Sequence, residues 1–317
     1  MNIFSKGKIS RGFDFTGIGL IIIVIMLGLI LSFLSPYFLT INNIFNILLS
    51  VTVIGIAALG ETLVIVSGGL DLSIEPVIAC TGVIVALLNQ DGYPLVISVM
   101  LGLILGPIIG FLNGVLITKA KINAVIVTLA TMSIVRGFSL LISDAKTIPF
   151  QRQDFGFIGR GYLFDIVPVA PIILILFYLI FYFMLNYTGF GRNVYAVGGN
   201  AEASRLAGIN VNKYRIIIYT ISGLLGSISG LFFAAITGAG LPYGAQGYVL
   251  TIIAAVILGG TSLSGGIGKI QGTLLGVLII GILNNGLILL DIKTFWQMII
   301  TGIVLLVAVA VDQIRLR

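Results

Sequence analysis

The chain has no histidine and a single cysteine, Cys80. Without histidine, the side chain that most often moves protons near neutral pH is missing. With one cysteine, no intramolecular disulfide can form, and a soft-ligand metal site lacks its donors. Charge is scarce as well. Only 9% of residues are charged, against about 25% in an ordinary soluble domain. So few charges cannot cover a water-exposed surface, so lipid is the main solvent. What is present fits that solvent: 58% hydrophobic residues and 41 glycines, the small residues that let helices approach closely in a bilayer. A span takes about 20 apolar residues, so the 317 residues hold about ten spans with short loops and no soluble domain of useful size.

The fold class read from this pattern is an all-α polytopic membrane protein, a single transmembrane domain over 1–317. The expected spans are 17–35, 44–66, 73–89, 94–118, 122–142, 166–187, 214–237, 248–264, 270–290 and 295–311. Pro36, Asp91-Gly92-Tyr93-Pro94 and Pro242 separate neighbouring spans. The basic start, with Lys6, Lys8 and Arg11 before the apolar run 17–34, resembles a secretion signal. The run is too long for one and no small-residue cleavage site follows, so 1–16 reads as a cytosolic segment leading into the first span. With that end in the cytosol, twelve basic residues fall inside: Lys6, Lys8, Arg11, Lys119, Lys121, Arg192, Arg205, Lys213, Arg215, Lys269, Arg315 and Arg317. Four fall outside, Lys146, Arg152, Arg160 and Lys293, and Arg136 lies within a span. The threefold bias over short loops is a positive-inside signal and places both termini in the cytosol. It also accounts for the net charge of +6 through anionic lipid rather than nucleic acid.

The stretch 193–212 stands apart. It is polar, lies between two apolar runs, and carries Arg205 with Arg192, Lys213 and Arg215 close by. The loop 188–213 therefore reads as a cytosolic docking surface, with 201–207 as a short projecting helix. Two outward segments, 143–165 and the uncharged, glycine-rich 238–247, are either solvated connectors or contacts for an external partner.

Some polar groups do not belong in lipid. Glu61, Asp71 and Glu75 lie in or beside the second and third spans, and each must face a cavity, a partner or the membrane surface. Ser67-Gly68-Gly69-Leu70-Asp71-Leu72-Ser73 looks like a break between helices. Asp71 or Ser73 then either caps the next helix or meets the solute. A break in the membrane survives only against protein or water, so either role puts it near a pathway. Glu75, followed by Pro76, suits a helix first turn, where the dipole favours its charge. Arg136 either snorkels to the outer interface or pairs with a carboxylate. Asn113, Asn284 and Asn285 either bond helix to helix or bond a solute. Gly110-Phe-Leu-Asn-Gly114 in the fourth span resembles Gly281-Ile-Leu-Asn-Asn-Gly286 in the ninth, a weak sign of an inverted repeat. The pair Gly68–Ser73 and Gly259–Ser264 aligns at another offset. Gly265-Gly266-Ile267-Gly268-Lys269-Ile270 lacks both the first glycine and the hydroxyl residue of a phosphate loop, so the chain has no nucleotide site of its own.

Several motifs in register resemble the ribose-type sugar permeases of bacterial ATP-binding-cassette importers. They are Ser35–Leu48, Gly-Gly-Leu-Asp-Leu-Ser at 68–73, Gly191-Arg192, Ala-Val-Gly-Gly-Asn-Ala-Glu-Ala-Ser-Arg-Leu-Ala-Gly-Ile-Asn-Val-Asn-Lys at 196–213, Gly-Gly-Thr-Ser-Leu-Ser-Gly-Gly at 259–266 and Asn-Asn-Gly-Leu at 284–287. The resemblance runs from about residue 30 to the end of the sequence. It implies a pore of two permease subunits, as a homodimer or heterodimer, and an ATPase on another polypeptide that binds ATP and magnesium. It further implies a periplasmic or lipid-anchored sugar-binding protein, and placement in the bacterial inner membrane. It assigns ATPase coupling to Gly191, Arg192, Gly198, Gly199, Asn200, Ala203, Arg205, Gly208 and Ile209. The resemblance is imperfect at Val249-Leu250-Thr251, where many members carry acids, at Ile74-Glu75-Pro76, where many have Val-Gly-Ser, and at Glu61, often uncharged. These departures surround the expected pathway, drawn from Glu61, Gly68, Gly69, Asp71, Ser73, Glu75, Asn113, Arg136, Asn284 and Asn285. The reading is a permease subunit for a monosaccharide or related solute, not an enzyme, with no cofactor or metal on this chain. The competing readings are an ion-coupled transporter using Glu61, Asp71 or Glu75, and a non-transporting scaffold.

Overall fold

The computed structural model describes residues 15–151, 155–164 and 167–315. The expected 1–16 segment, with Lys6, Lys8 and Arg11, lies almost wholly outside them, as do Arg152 and Arg317. In chain order the elements are α1 (Phe15–Leu34), α2 (Ile41–Val66), α3 (Ile74–Gln90), α4 (Leu95–Thr118), α5 (Ala124–Ser143), β1 (Ile148–Pro149), α6 (Gly156–Arg160), β2 (Tyr162–Leu163), β3 (Val167–Pro168), α7 (Val169–Tyr187), α8 (Gly189–Gly199), α9 (Ala201–Leu206), α10 (Val211–Thr237), β4 (Ala239–Gly240), α11 (Tyr248–Leu258), α12 (Ile270–Leu289) and α13 (Thr294–Arg315). Eight helices are long and apolar enough to cross a membrane, and α3 and α11 are shorter apolar helices. The chain is a multi-pass, all-α membrane protein.

Local sequence sets the helix ends. Thr40 and Asn123 cap α2 and α5 by accepting the amides of Asn43 and Val125, which would otherwise be unpaired at a helix start. Pro94 immediately precedes α4, where a missing N–H costs nothing. The expected eighth span, 248–264, is too long: α11 ends at Leu258. Gly260, Gly265 and Gly266 then take positive φ in a turn that leads to α12. The loop 188–213 is more helical than expected, because α8 precedes α9. The segments expected to face outward, 143–165 and 238–247, meet each other. β1 pairs antiparallel with β4, Ile148 opposite Gly240 and Pro149 opposite Ala239, while β2 and β3 form a small hairpin.

α2 is the central post, buried without interruption from 51 to 67. It packs on α7, α10, α11 and α12, while α10 packs on α2, α3 and α4. α3 further meets α4 and α5, as α11 meets α12 and α13. The long helices α2 and α10 thus hold equivalent places, each followed by a break and a short helix. The contacts of α2 to α5 thus recur in α10 to α13, a repeat of the kind that the glycine–asparagine motifs of α4 and α12 hint at. The counterpart of the 67–73 break is 238–247, not 259–264. α1 and α13 lie outermost and expose Ile22, Ile25, Met26, Ile299, Ile303 and Leu306, the surface a lipid-facing helix presents.

Between membrane helices, apolar burial supplies little drive and close backbone packing supplies more. α4 carries glycine every fourth residue at 102, 106, 110 and 114, and its tightest contact is with α10. A Cβ on Gly106 would strike the carbonyl of Gly223, and one on Gly110 the carbonyl of Tyr219. The Ser227 hydroxyl accepts the Gly106 amide at 2.8 Å and a bond from Thr81 at 3.1 Å, tying α3, α4 and α10 together. Gly106→Leu should therefore cost about 1–3 kcal/mol or more by overpacking, read by denaturant unfolding in mixed micelles. Gly302→Leu, where the glycine has open space around it, serves as the comparison. Equal stability of the two variants would exclude this contact.

Candidate functional site

Two breaks, 67–73 and 238–247, let short helices begin inside the structure rather than at its rim. Around the first break, Glu61, Asp71, Ser73 and Asn113 of the residues expected in the pathway form one buried network, reached through exposed Gly68 and half-buried Gly69. Gly68 and Gly69 turn the chain back against α2, donating to the carbonyls of Ile65 and Val64 at 2.9 Å each. Tyr219 of α10 then clamps Leu70: its hydroxyl accepts the Leu70 amide at 3.3 Å and donates to the Leu70 carbonyl at 3.2 Å. The Asp71 amide donates to Glu61 Oε1 at 3.2 Å. Asp71 Oδ1 accepts the Ser73 amide at 3.1 Å and the Ser73 hydroxyl at 2.6 Å, and Oδ2 accepts Ser222 at 2.9 Å. Asn113 of α4 donates to Ser73 at 2.9 Å and accepts Thr131 of α5 at 2.7 Å.

Neither Asp71 nor Ser73 caps α3 as expected: the Ser73 side chain makes no capping bond, and Asp71 accepts the Ser73 amide in the turn just ahead of the helix. A carboxylate accepting several bonds in a dry interior is tightly held. Glu61 is fully buried and differs: its Oε2 has no hydrogen-bond partner among the described residues. The sequence reading missed Tyr219, Ser222 and Thr131. A signal existed for the first two, because Tyr219 and Ser222 sit three residues apart, on one face of a helix otherwise read as apolar.

Glu75 does more than sit in a helix first turn. Its Oε2 accepts the amides of Gly247 and Val249, at 2.9 and 3.3 Å, at the start of α11. It therefore lies at the positive ends of α3 and α11 together. Its Oε1 pairs with Arg136 Nη2 at 2.6 Å. Arg136 Nη1 donates to the carbonyls of Pro242 and Gly244 at 2.8 and 3.3 Å. Of the two readings for Arg136, pairing holds and snorkelling does not: the side chain is 18% exposed and that of Glu75 3%. Asn285 bonds Asn43 reciprocally, at 2.9 and 2.7 Å, a helix-to-helix role away from both breaks. Asn284 makes no side-chain hydrogen bond with a described residue.

One rim gathers the end of α2, the α4–α5 turn, the α8–α9 segment and the 259–269 turn. Asn200 and Asn210 cap α9 and α10 by accepting the amides of Ala203 and Lys213. Arg205 pairs with Glu202 on the surface at 2.6 Å, and Leu206 is 81% exposed. Arg192, Gly199, Asn200, Ala203 and Gly208 are exposed, Gly198 and Ile209 half-buried, and Gly191 buried against the Leu185 backbone. A cavity of about 680 Å³ opens here below the Tyr219 clamp, bordered by Lys121, Arg205 and Arg215 and by no acid. Among the described residues no group of three or more His, Cys, Asp or Glu could hold a metal.

Interrupted helices that begin at depth, a polar network at each break and a basic helical hairpin on one rim define the membrane subunit of a transporter. The chain belongs to the family described as "branched-chain amino acid transport system / permease component", whose model matches residues 43–309. It is 44% identical to the ribose import permease protein of Bacillus subtilis (strain 168) over 298 residues, 93% of this chain and 91% of that one. It is 43% identical to the ribose import permease protein of Escherichia coli (strain K12) over 296 residues, 92% of each. To the L-arabinose transport system permease protein of Escherichia coli (strain K12) it is 40% identical over 310 residues, 98% of this chain and 94% of that one. No solved structure matches it.

The Glu75–Arg136 pair gives a direct test. Arg136→Met alone leaves a buried carboxylate unpaired and should cost about 3–5 kcal/mol in micelle unfolding. Glu75→Gln combined with Arg136→Met should recover part of that loss. Losses that simply add would show that the two groups do not interact.

Proposed function

We propose that this chain is the membrane-spanning subunit of an ATP-driven importer, carrying a monosaccharide of the ribose kind, or a related solute, inward across the bacterial inner membrane. The observation that carries the reading is similarity of 40% identity or more to ribose and arabinose permeases, over 92% or more of this chain. The ion-coupled alternative gains no support from these relatives, and Glu75 is already engaged by Arg136 and two amides. Lys119, Lys121, Arg192, Arg205, Lys213, Arg215 and Lys269 share the rim of α8 and α9, which suits a cytosolic face with both termini on the same side.

In this reading a second permease subunit completes the pore, and an external sugar-binding protein delivers solute to the rim formed by β1 and β4. A cytosolic ATPase, holding ATP and magnesium, grips the exposed surface of α8 and α9. Closure of the ATPases moves that hairpin as a rigid lever, a small set of packed arrangements exchanging as bodies. Solute passes beside Gly68, Gly69, Asp71, Ser73 and Asn113, with Glu61 holding the Asp71 amide of that break and the Glu75–Arg136 pair holding the neighbouring one. Asn285 is engaged by Asn43.

The test is uptake by vesicles containing permease, ATPase and binding protein, with labelled ribose and arabinose. Uptake should need ATP and persist when the proton gradient is collapsed. Arg205→Glu reverses a charge on the docking face and should weaken ATPase retention about tenfold or more. Asp71→Asn should impair uptake while the ATPase still copurifies, because it puts a donor where three donors converge. Uptake by this chain alone that follows an ion gradient would reject the proposal, and normal uptake by Asp71→Asn would remove Asp71 from the pathway.

A further inference from the structure

Gly198, at the end of α8, does not face outward toward a partner. A Cβ there would collide with the carbonyl oxygen of Val66, the last residue of α2, and lie 2.7 Å from the Gly266 nitrogen. The same Val66 carbonyl accepts the Gly266 amide at 2.8 Å. A Cβ on Gly265 would lie 2.7 Å from the Gly198 carbonyl oxygen and 3.0 Å from the Gly68 Cα. One turn back along α8, the Tyr195 hydroxyl donates to the Gly268 carbonyl at 2.9 Å. Three backbone segments thus meet without side chains between them: the end of α8, the end of α2 with its 67–69 turn, and the 265–268 turn between α11 and α12.

We infer that this glycine joint is where movement of the surface hairpin enters the membrane core, with Gly198 and Tyr195 as its positioning residues. The reasoning is mechanical. Side chains hop between rotamers and absorb small displacements, whereas backbone pressed on backbone transmits them. A shift of α8 displaces Val66. Five residues further on lies Asp71, bonded to Ser73 and Ser222, so the shift reaches α3 and α10. Through Gly266 and Gly268 the same shift reaches the turn that joins the broken helix α11 to α12. One contact therefore addresses both halves of the repeat. The inference rests on the proposed docking of an ATPase at α8 and α9, and it adds where the force goes next.

The experiment uses the assembled permease, ATPase and binding protein in proteoliposomes, scoring solute imported per ATP hydrolysed. In Gly198→Ala the ATPase should still copurify and hydrolyse ATP, while that ratio falls about tenfold. Tyr195→Phe removes one bond and no bulk, keeps the joint decidable if Gly198→Ala fails to assemble, and should lower the ratio about threefold. Gly302→Ala, on the outer helix α13 with open space around the added Cβ, should match the unchanged protein. An ATPase that does not copurify with the unchanged permease defeats the docking proposal itself. An ATPase that does, with an unaltered ratio in Tyr195→Phe and in any Gly198→Ala that assembles, defeats the joint alone.

Discussion

A charged carboxylate inside a membrane protein is costly unless it is paired and hydrogen-bonded, and Glu75 is both. It can only be satisfied where the starts of α3 and α11 meet, with Arg136 reaching in from α5 and the 242–247 chain folding around the guanidinium. Break any of these approaches and the buried charge is left only partly compensated. The requirement therefore fixes the relative placement of α3, α5 and α11, the helices on either side of the meeting point of the two repeats. Both short helices direct their positive ends to the same spot, and one acid answers both.

The Asp71 network meets the same physical demand nearer the opposite rim. Its acceptors are filled by a serine on its own turn and another on α10, and the network continues through Asn113 to α5. Polar satisfaction across several helices makes the break a rigid object with few arrangements, as a moving part of a transporter requires. Glycine packing does the complementary work. Where α4 meets α10, and where α8 meets the end of α2, the helices approach at backbone distance with no side chain between them.

Much of this was legible in one dimension because lipid is an uncompromising solvent. Apolar runs near 20 residues have one common fate in such a chain, and the spans read from them coincide with the helices at nearly every place. The eighth failed because Gly260, Gly265 and Gly266 support a turn with positive φ, which mean hydropathy does not register. In the loop 188–213, α8 was unforeseen because its four glycines argue against a helix by propensity. Packing against the end of α2 and the 265–268 turn overrides that preference.

The linear chain by itself determined the number and sequence of spans, the polar break at 67–73 and the unusual acids that had to be sheltered, since each follows from the solvation of a single segment. It left open what sheltered them. Glu75 could have been served by its helix dipole alone and Arg136 by the interface. Only the packed structure decided that they serve each other, because that depends on residues 61 positions apart arriving at one place with two amides from α11. Likewise Gly198 reads as surface until the fold brings α2 and the 265–268 turn against it. Solvation is a property of a segment, whereas partnership is a property of its neighbours, and neighbours exist only after folding.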